Sequence, residues 1–266
     1  MPHTEVNGIA LYYETHGSQG PYLMLMCGLG AHLATWDLEL VEALAQKARL
    51  ILFDNRGAGR SDKPDAEYSM ALFADDAAAL LDALTVESAH IMGTSMGGMI
   101  AQEFALRHPH RVQKLILCCT SPGGRRMITP SPEVLEKLAD VDGLTAEEIS
   151  RKNWPLVFTE SFIENNTAWL EEKMRREIPY SAPAFSFKRQ LAAAMQHNAY
   201  SRLPQITCPT LVLTGAEDIL IPPENSELLA TQIPNATLKR YEDAAHGFLS
   251  EARDAVVRDI FAFMGC

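Results

Sequence analysis

Gly93-Thr94-Ser95-Met96-Gly97 sets a serine between glycines where an apolar run meets a helix-period segment. A serine hydroxyl is a poor nucleophile at neutral pH, so chemistry there requires a base to take its proton and an acid to orient that base. Among the eight histidines, His3 is terminal. His108 and His110 close a helical segment, where the dipole favours a solvated cation. His16 and His90 fall at strand or loop positions with no acid following in a useful order. His246, in "EDAAHGF", occupies a small-residue loop between the last strand and the last helix, from which an imidazole reaches a strand edge. The orienting acid should follow the preceding strand, and "TLVLTGAEDILIPPE" offers Glu217 and Asp218. Asp218 is the better placed, since a G-x-x-D turn carries it one residue further toward the histidine loop; the bland alternative is a solvated surface carboxylate.

The glycines beside Ser95 have a mechanical reason. A chain that reverses sharply from strand to helix leaves no room for flanking side chains and forces the serine into a strained backbone conformation. The surrounding elements must then be parallel strands joined by crossover helices, and the sequence has that rhythm. "PYLMLMCG", "ARLILFDN", "SAHIMG", "VQKLILCC" and "TLVLTG" read as buried central strands, and "ATLKRYED" as a further one. The first residues, "MPHTEVNGIALYYETHG", alternate polar and apolar within a strand-like segment. Helices are expected over 35–47, over 69–84, from Ser95 to about His108 with Pro109 as the stop, and over 247–264.

The rhythm breaks from about Pro122 to Pro204, where helical segments and prolines occur without a convincing strand. The expected organisation is therefore an α/β core of residues 1–121 and 205–266, with residues 122–204 as a helical insertion. That insertion holds Trp154, Trp169, Phe158, Phe162, Phe185 and Phe187. Most of these aromatics suffice to build its own small core, while a few can line an apolar pocket beneath it. Trp154 is expected to touch substrate, the alternative being burial in the insertion's own core.

Composition narrows the partners. With 34 acidic against 23 basic side chains the net charge is −11, which repels a phosphate backbone, so nucleic acid is not expected as a partner. No basic and then apolar leader opens the chain and no apolar run has the length of a membrane span, so no membrane association and a cytoplasmic location are expected. The five cysteines are odd in number and lack metal-ligand spacing; neither disulfides nor a metal are expected. Gly28-Leu29-Gly30 begins a dinucleotide fingerprint whose last position is Leu33, and "RGAGRSD" lacks the lysine of a phosphate loop, so no nucleotide cofactor is expected.

Taken with its contexts, the chain order Ser95, Asp218, His246 resembles the α/β-hydrolase fold family over essentially the whole chain. "FDNRGAGRSDKP" is similar to the family's D-x-R-G-x-G-x-S turn, and "CPTLVLTGAEDILIPP" to its acid-bearing strand. "CGLG", "GTSMGGMIAQEFALRHP" and an insertion of this size resemble small carboxylesterases and 3-oxoadipate enol-lactonases, although Cys27 stands where many relatives carry histidine. The resemblance implies a mostly parallel sheet flanked by helices with a helical cap. It implies a Ser95-His246-Asp218 triad, oxyanion donors at the Leu29 and Met96 backbone N–H groups, and cofactor-free cleavage of a small ester or lactone through an acyl-enzyme. Other outcomes for the same scaffold are carbon–carbon bond hydrolysis, perhydrolysis, or a ligand receptor that signals by cap movement. Carbon–carbon hydrolases often carry a tryptophan after the histidine, whereas this chain reads His246-Gly247-Phe248. The oligomeric state is not legible.

Overall fold

Strands covered on both faces must be almost continuously apolar, and the five central runs meet that requirement in the computed structural model, which describes residues 2–139 and 143–266. In chain order the strands are β1 (His3–Val6), β2 (Ile9–His16), β3 (Tyr22–Met26), β4 (Arg49–Phe53), β5 (Ala89–Thr94), β6 (Val112–Cys118), β7 (Thr210–Gly215) and β8 (Ala236–Tyr241). They form one eight-stranded sheet ordered β1-β2-β4-β3-β5-β6-β7-β8. β2 runs antiparallel to β1 and β4, and the other pairings are parallel. Met26 pairs with Gly93, and Thr94 with Cys118, so the ends of β3, β5 and β6 meet at one rim.

Side-chain alternation sends successive residues of a strand to opposite faces. Met24, Ile51, Ile91 and Leu117 pack on one face with α2 (Met70–Ala83) and α3 (Met96–Arg107). Leu25, Leu52, Met92 and Ile116 pack on the other, against α1 (Leu38–Ala45) and the C-terminal helices. Between β6 and β7 lie α4 (Pro132–Ala139), α5 (Ala146–Val157), α6 (Glu160–Glu177) and α7 (Ala184–Gln196), with no named strand among the described residues there. The chain leaves and re-enters the core at one point, where Gly123 bridges Asn198 and Ala199 N–H donates to the Pro122 carbonyl. After β7 come α8 (Glu224–Gln232), α9 (Phe248–Glu251) and α10 (Arg253–Met264).

Four local features depart from the sequence expectation. The first strand-like segment is two strands, because Asn7 (φ 45°) and Gly8 (φ 75°) fold it into a hairpin; both residues tolerate the left-handed backbone of a tight turn. The helix expected over 35–47 begins at Leu38, where Asp37 accepts hydrogen bonds from the Glu39 and Leu40 N–H groups, a cap that fixes the start. The closing helix is interrupted at Ala252, giving α9 and α10, and α8 was not foreseen.

Candidate active site

Ser95 is the residue between β5 and α3, with φ 55° and ψ −120°. This is a conformation a residue with a side chain holds at a cost of about 1–3 kcal/mol unless its surroundings enforce it. They do: Ser95 N–H donates to the Cys118 carbonyl at 2.9 Å, and Thr120 Oγ1 donates to the Ser95 carbonyl at 2.7 Å. The neighbouring glycines are spatial necessities, since a Cβ at Gly93 would stand 2.1 Å from the Gly97 carbonyl oxygen, and one at Gly97 would stand 2.1 Å from that of Met26. The turn therefore thrusts the serine side chain outward from the rim.

Asp218 follows β7 and is 2% exposed. Its Oδ1 accepts from the Leu220 and Ile221 N–H groups, both at 2.9 Å, and its Oδ2 lies 2.7 Å from His246 Nδ1. Those contacts fix the carboxylate's orientation and leave it one partner, the imidazole. Glu217 does not share this role; its N–H donates to the Ala244 carbonyl and its side chain borders a surface depression with Thr159, Glu160 and Asp243. Burial opposes charging of the His246 ring, but the Asp218 carboxylate, with Cys119 as a further neighbour, outweighs it and raises the imidazole pKa well above its ordinary value. Among the described residues the hydrogen-bond partner of the His246 ring is Asp218, and no hydrogen bond joins Ser95 Oγ to it.

The histidine loop is clamped from the helical side. Glu251 accepts from the Ala245 N–H at 2.7 Å and from the Thr159 N–H and hydroxyl at 2.8 and 2.9 Å. Gly247 N–H donates to the Val157 carbonyl at 2.7 Å, and Phe158 fills the space where a Gly247 side chain would go. Phe158 stacks on Phe162, and both meet Trp169 edge-on. Three of the aromatics thus form a cluster of their own that reaches the histidine loop, whereas Trp154 lies half-buried in α5.

Across the rim, the loop after β3 passes over Ser95: a Cβ on Gly28 would lie 3.3 Å from that of Ser95. Asn55 Nδ2 donates to the Cys27 carbonyl at 3.0 Å, and the Leu33 N–H donates to Asp54 Oδ1 at 2.5 Å while the Arg60 N–H reaches Asp54 Oδ2 at 2.7 Å. The glycine-rich turn after β4 is accordingly a buttress for this loop. Gln190 of α7, fully buried, accepts from Gly30 N–H and donates to the Arg56 carbonyl, each at 2.9 Å. Gly30 also abuts the Phe187 ring. The Leu29 N–H lies in this loop, and the Met96 N–H, on the first residue of α3, has no acceptor within its helix. The arrangement offers a half-buried hydroxyl, an oriented imidazole and two main-chain N–H groups at one rim.

Two contributors escaped the sequence reading. Gln190 looks like any polar residue on an amphipathic helix. Cys119, at the end of an apolar strand run, adopts φ 40° and sets Sγ 3.3 Å from Thr94 Oγ1, beside the Asp218-His246 pair.

A family profile described as alpha/beta hydrolase fold matches residues 21–252. The chain is 30% identical to the "Putative carbamate hydrolase RutD" of Azorhizobium caulinodans over 265 residues, covering all of this chain and 98% of that one. Its backbone is similar to the enol-lactonase from Burkholderia xenovorans, with a TM-score of 0.86 at 26% identity and full coverage of both chains. A thermophilic esterase from Thermogutta terrifontis gives a TM-score of 0.82 at 29% identity, with 98% of this chain and 96% of that chain covered. This chain belongs to the α/β-hydrolase fold family, and its relatives are hydrolases.

Proposed function

We propose that this protein cleaves small carboxylic esters or lactones with Ser95 as nucleophile, His246 as general base and then acid, and Asp218 as the group that orients the imidazole. The observation that carries the reading is the 2.7 Å contact from Asp218 to His246 Nδ1 at the same rim as the strained serine turn. With Nδ1–H held by the carboxylate, the basic lone pair of the ring is on Nε2. Ser95 Oγ gives its proton to that nitrogen as it bonds to the carbonyl carbon. The oxyanion is met by the Leu29 and Met96 N–H groups, the second reinforced by the α3 dipole. Loss of one such donor typically costs about 2.7–4 kcal/mol of transition-state stabilisation. The tetrahedral intermediate collapses as His246 protonates the leaving alkoxide, and water repeats the sequence on the acyl-enzyme. No step calls for a cofactor.

Residues 122–204 act in this reading as a cap, which Gln190, Glu251 and Phe158 join to both the nucleophile side and the histidine side of the rim. Among the described residues no helix is long and apolar enough to cross a membrane, in keeping with action on dissolved substrates.

A second substrate class is favoured by the 30% identical relative named for carbamate hydrolysis. A carbamate carbonyl passes through the same tetrahedral geometry, so the triad serves it too. The test is a panel of short p-nitrophenyl esters, γ- and δ-lactones and alkyl carbamates, compared by kcat/KM for the wild type and Ser95→Ala. Multiple turnovers on an ester or lactone, abolished in the variant, are expected. Turnover that survives Ser95→Ala sinks the nucleophile assignment; a preference for carbamates moves the substrate class.

A further inference from the structure

Cys119 is the third reactive side chain at the triad's acid end, and the mechanism above has no use for it. It follows β6, is fully buried, and is held by the Cys119 N–H bond to the Leu213 carbonyl at 2.9 Å. One donor atom from each of Cys119, Asp218 and His246 lies within 4.8 Å of the others. Tetrahedral bonds of about 2.0 Å to nitrogen and oxygen and about 2.3 Å to sulfur place such atoms roughly 3.3–3.7 Å apart, so adjustments of about 1 Å close the set.

We infer that Cys119, His246 and Asp218 form an inhibitory site for a thiophilic divalent cation of the zinc class, reached from the substrate side of the rim. Thiolate, imidazole and carboxylate together are a donor set that zinc and cadmium accept and that magnesium and calcium do not. Access is from His246, whose side chain is 14% exposed, while the other two ligands are buried behind it.

Charge and protons balance on binding. The thiol gives its proton to solvent as sulfur bonds to the ion, and an imidazolium likewise gives up the proton of the nitrogen that binds. The dication, thiolate, neutral imidazole and Asp218 carboxylate then sum to zero charge, so no net charge is buried. A neutral imidazole has a single basic lone pair, and whichever ring nitrogen binds the ion, that pair is lost to the Ser95 proton. Occupancy therefore switches hydrolysis off without touching the nucleophile.

The site itself rests on ligand geometry, and only its inhibitory effect rests on the triad reading. Two measurements keep these apart. In a full-length Cys208→Ser/Cys266→Ser chain, Cd²⁺ titration is expected to give a thiolate-to-metal ultraviolet band saturating at one equivalent. Zn²⁺ should displace it and Mg²⁺ should not, and the band should vanish when Cys119→Ser or Cys119→Ala is added, two variants whose folding circular dichroism checks. In turnover assays Zn²⁺ should inhibit, EDTA should restore activity, and the Zn²⁺ concentration for half inhibition should rise at least about tenfold in Cys119→Ser, each rate being referred to that variant's own uninhibited rate. A band that persists without Cys119, or equal inhibition of both proteins, overturns the metal site. A normal band in a protein with no hydrolytic turnover overturns the functional reading and leaves the site standing.

Discussion

His246 carries the residue-scale argument, because one contact sets both its tautomer and its basicity. The Asp218 carboxylate holds Nδ1–H and, against the effect of burial, raises the ring's pKa above the usual 6.5. Only the neutral ring accepts the Ser95 proton, so kcat/KM should fall as pH drops through a midpoint above 6.5; a pH–rate profile with its acid midpoint well below that value contradicts the pairing. By linkage, the raised pKa contributes stability that is complete below the unfolded-state value and fades as pH rises through the folded one. Asp218→Asn removes the carboxylate and leaves burial, which lowers the pKa, and it favours the wrong tautomer. Its expected signature is a loss of about 10⁴ in kcat together with an acid limb moved to lower pH. These three residues were legible in the sequence because each sits in a motif whose backbone demands are local. Cys119 was not, since nothing in an apolar strand end announces that its neighbours in space are residues 218 and 246.

At the scale of elements, the rim is assembled by packing that motif reading cannot see. The Gly93-Ser95-Gly97 turn, the strand cores and the α2 boundaries followed from glycine chemistry, apolar runs and the Ser69 cap, whose hydroxyl accepts from Leu72 N–H. The Asn7-Gly8 turn is masked in the sequence because polar-apolar alternation continues across it. What secures the Gly28–Gly30 segment comes from α7, some 160 residues away, through Gln190. Gln190→Ala leaves the Gly30 N–H without its acceptor and frees the loop that bears the proposed Leu29 donor; kcat should drop about 10- to 100-fold, with a smaller change in KM. Ser186→Ala is the control, because Ser186 Oγ ties the same helix to the Gly57 carbonyl at 2.6 Å without touching the loop. Stopped-flow and steady-state comparison of the two should show the kcat loss for Gln190→Ala alone, and equal losses would reduce Gln190 to general packing.

For the molecule as a whole, the sheet makes distant residues converge. Its parallel register lines up the C-terminal ends of β3, β5, β6 and β7, which is why an order read along the chain becomes a site in space. The same interior holds His32, His90 and His197, each buried and each with its pKa lowered to about 4 chiefly by desolvation. A folded-state pKa below the unfolded value of 6.5 means stability that is complete above 6.5 and lost as pH falls toward 4, where the unfolded chain binds protons the folded one refuses. Thermal unfolding followed between pH 7 and 4 should show the melting temperature falling across that window, with His197→Gln flattening part of the slope. A melting temperature indifferent to pH there would contradict the neutral, buried state of these rings.

The most direct test of the account is covalent labelling of the nucleophile. Treatment of the wild-type protein with a serine-directed phosphonylating reagent, followed by peptide mass mapping, should place a single adduct on Ser95. The rate of that labelling should collapse in His246→Ala, since the hydroxyl then has no proton acceptor. A label on another residue, or labelling of Ser95 at the same rate without His246, contradicts the claim that the imidazole makes this serine reactive.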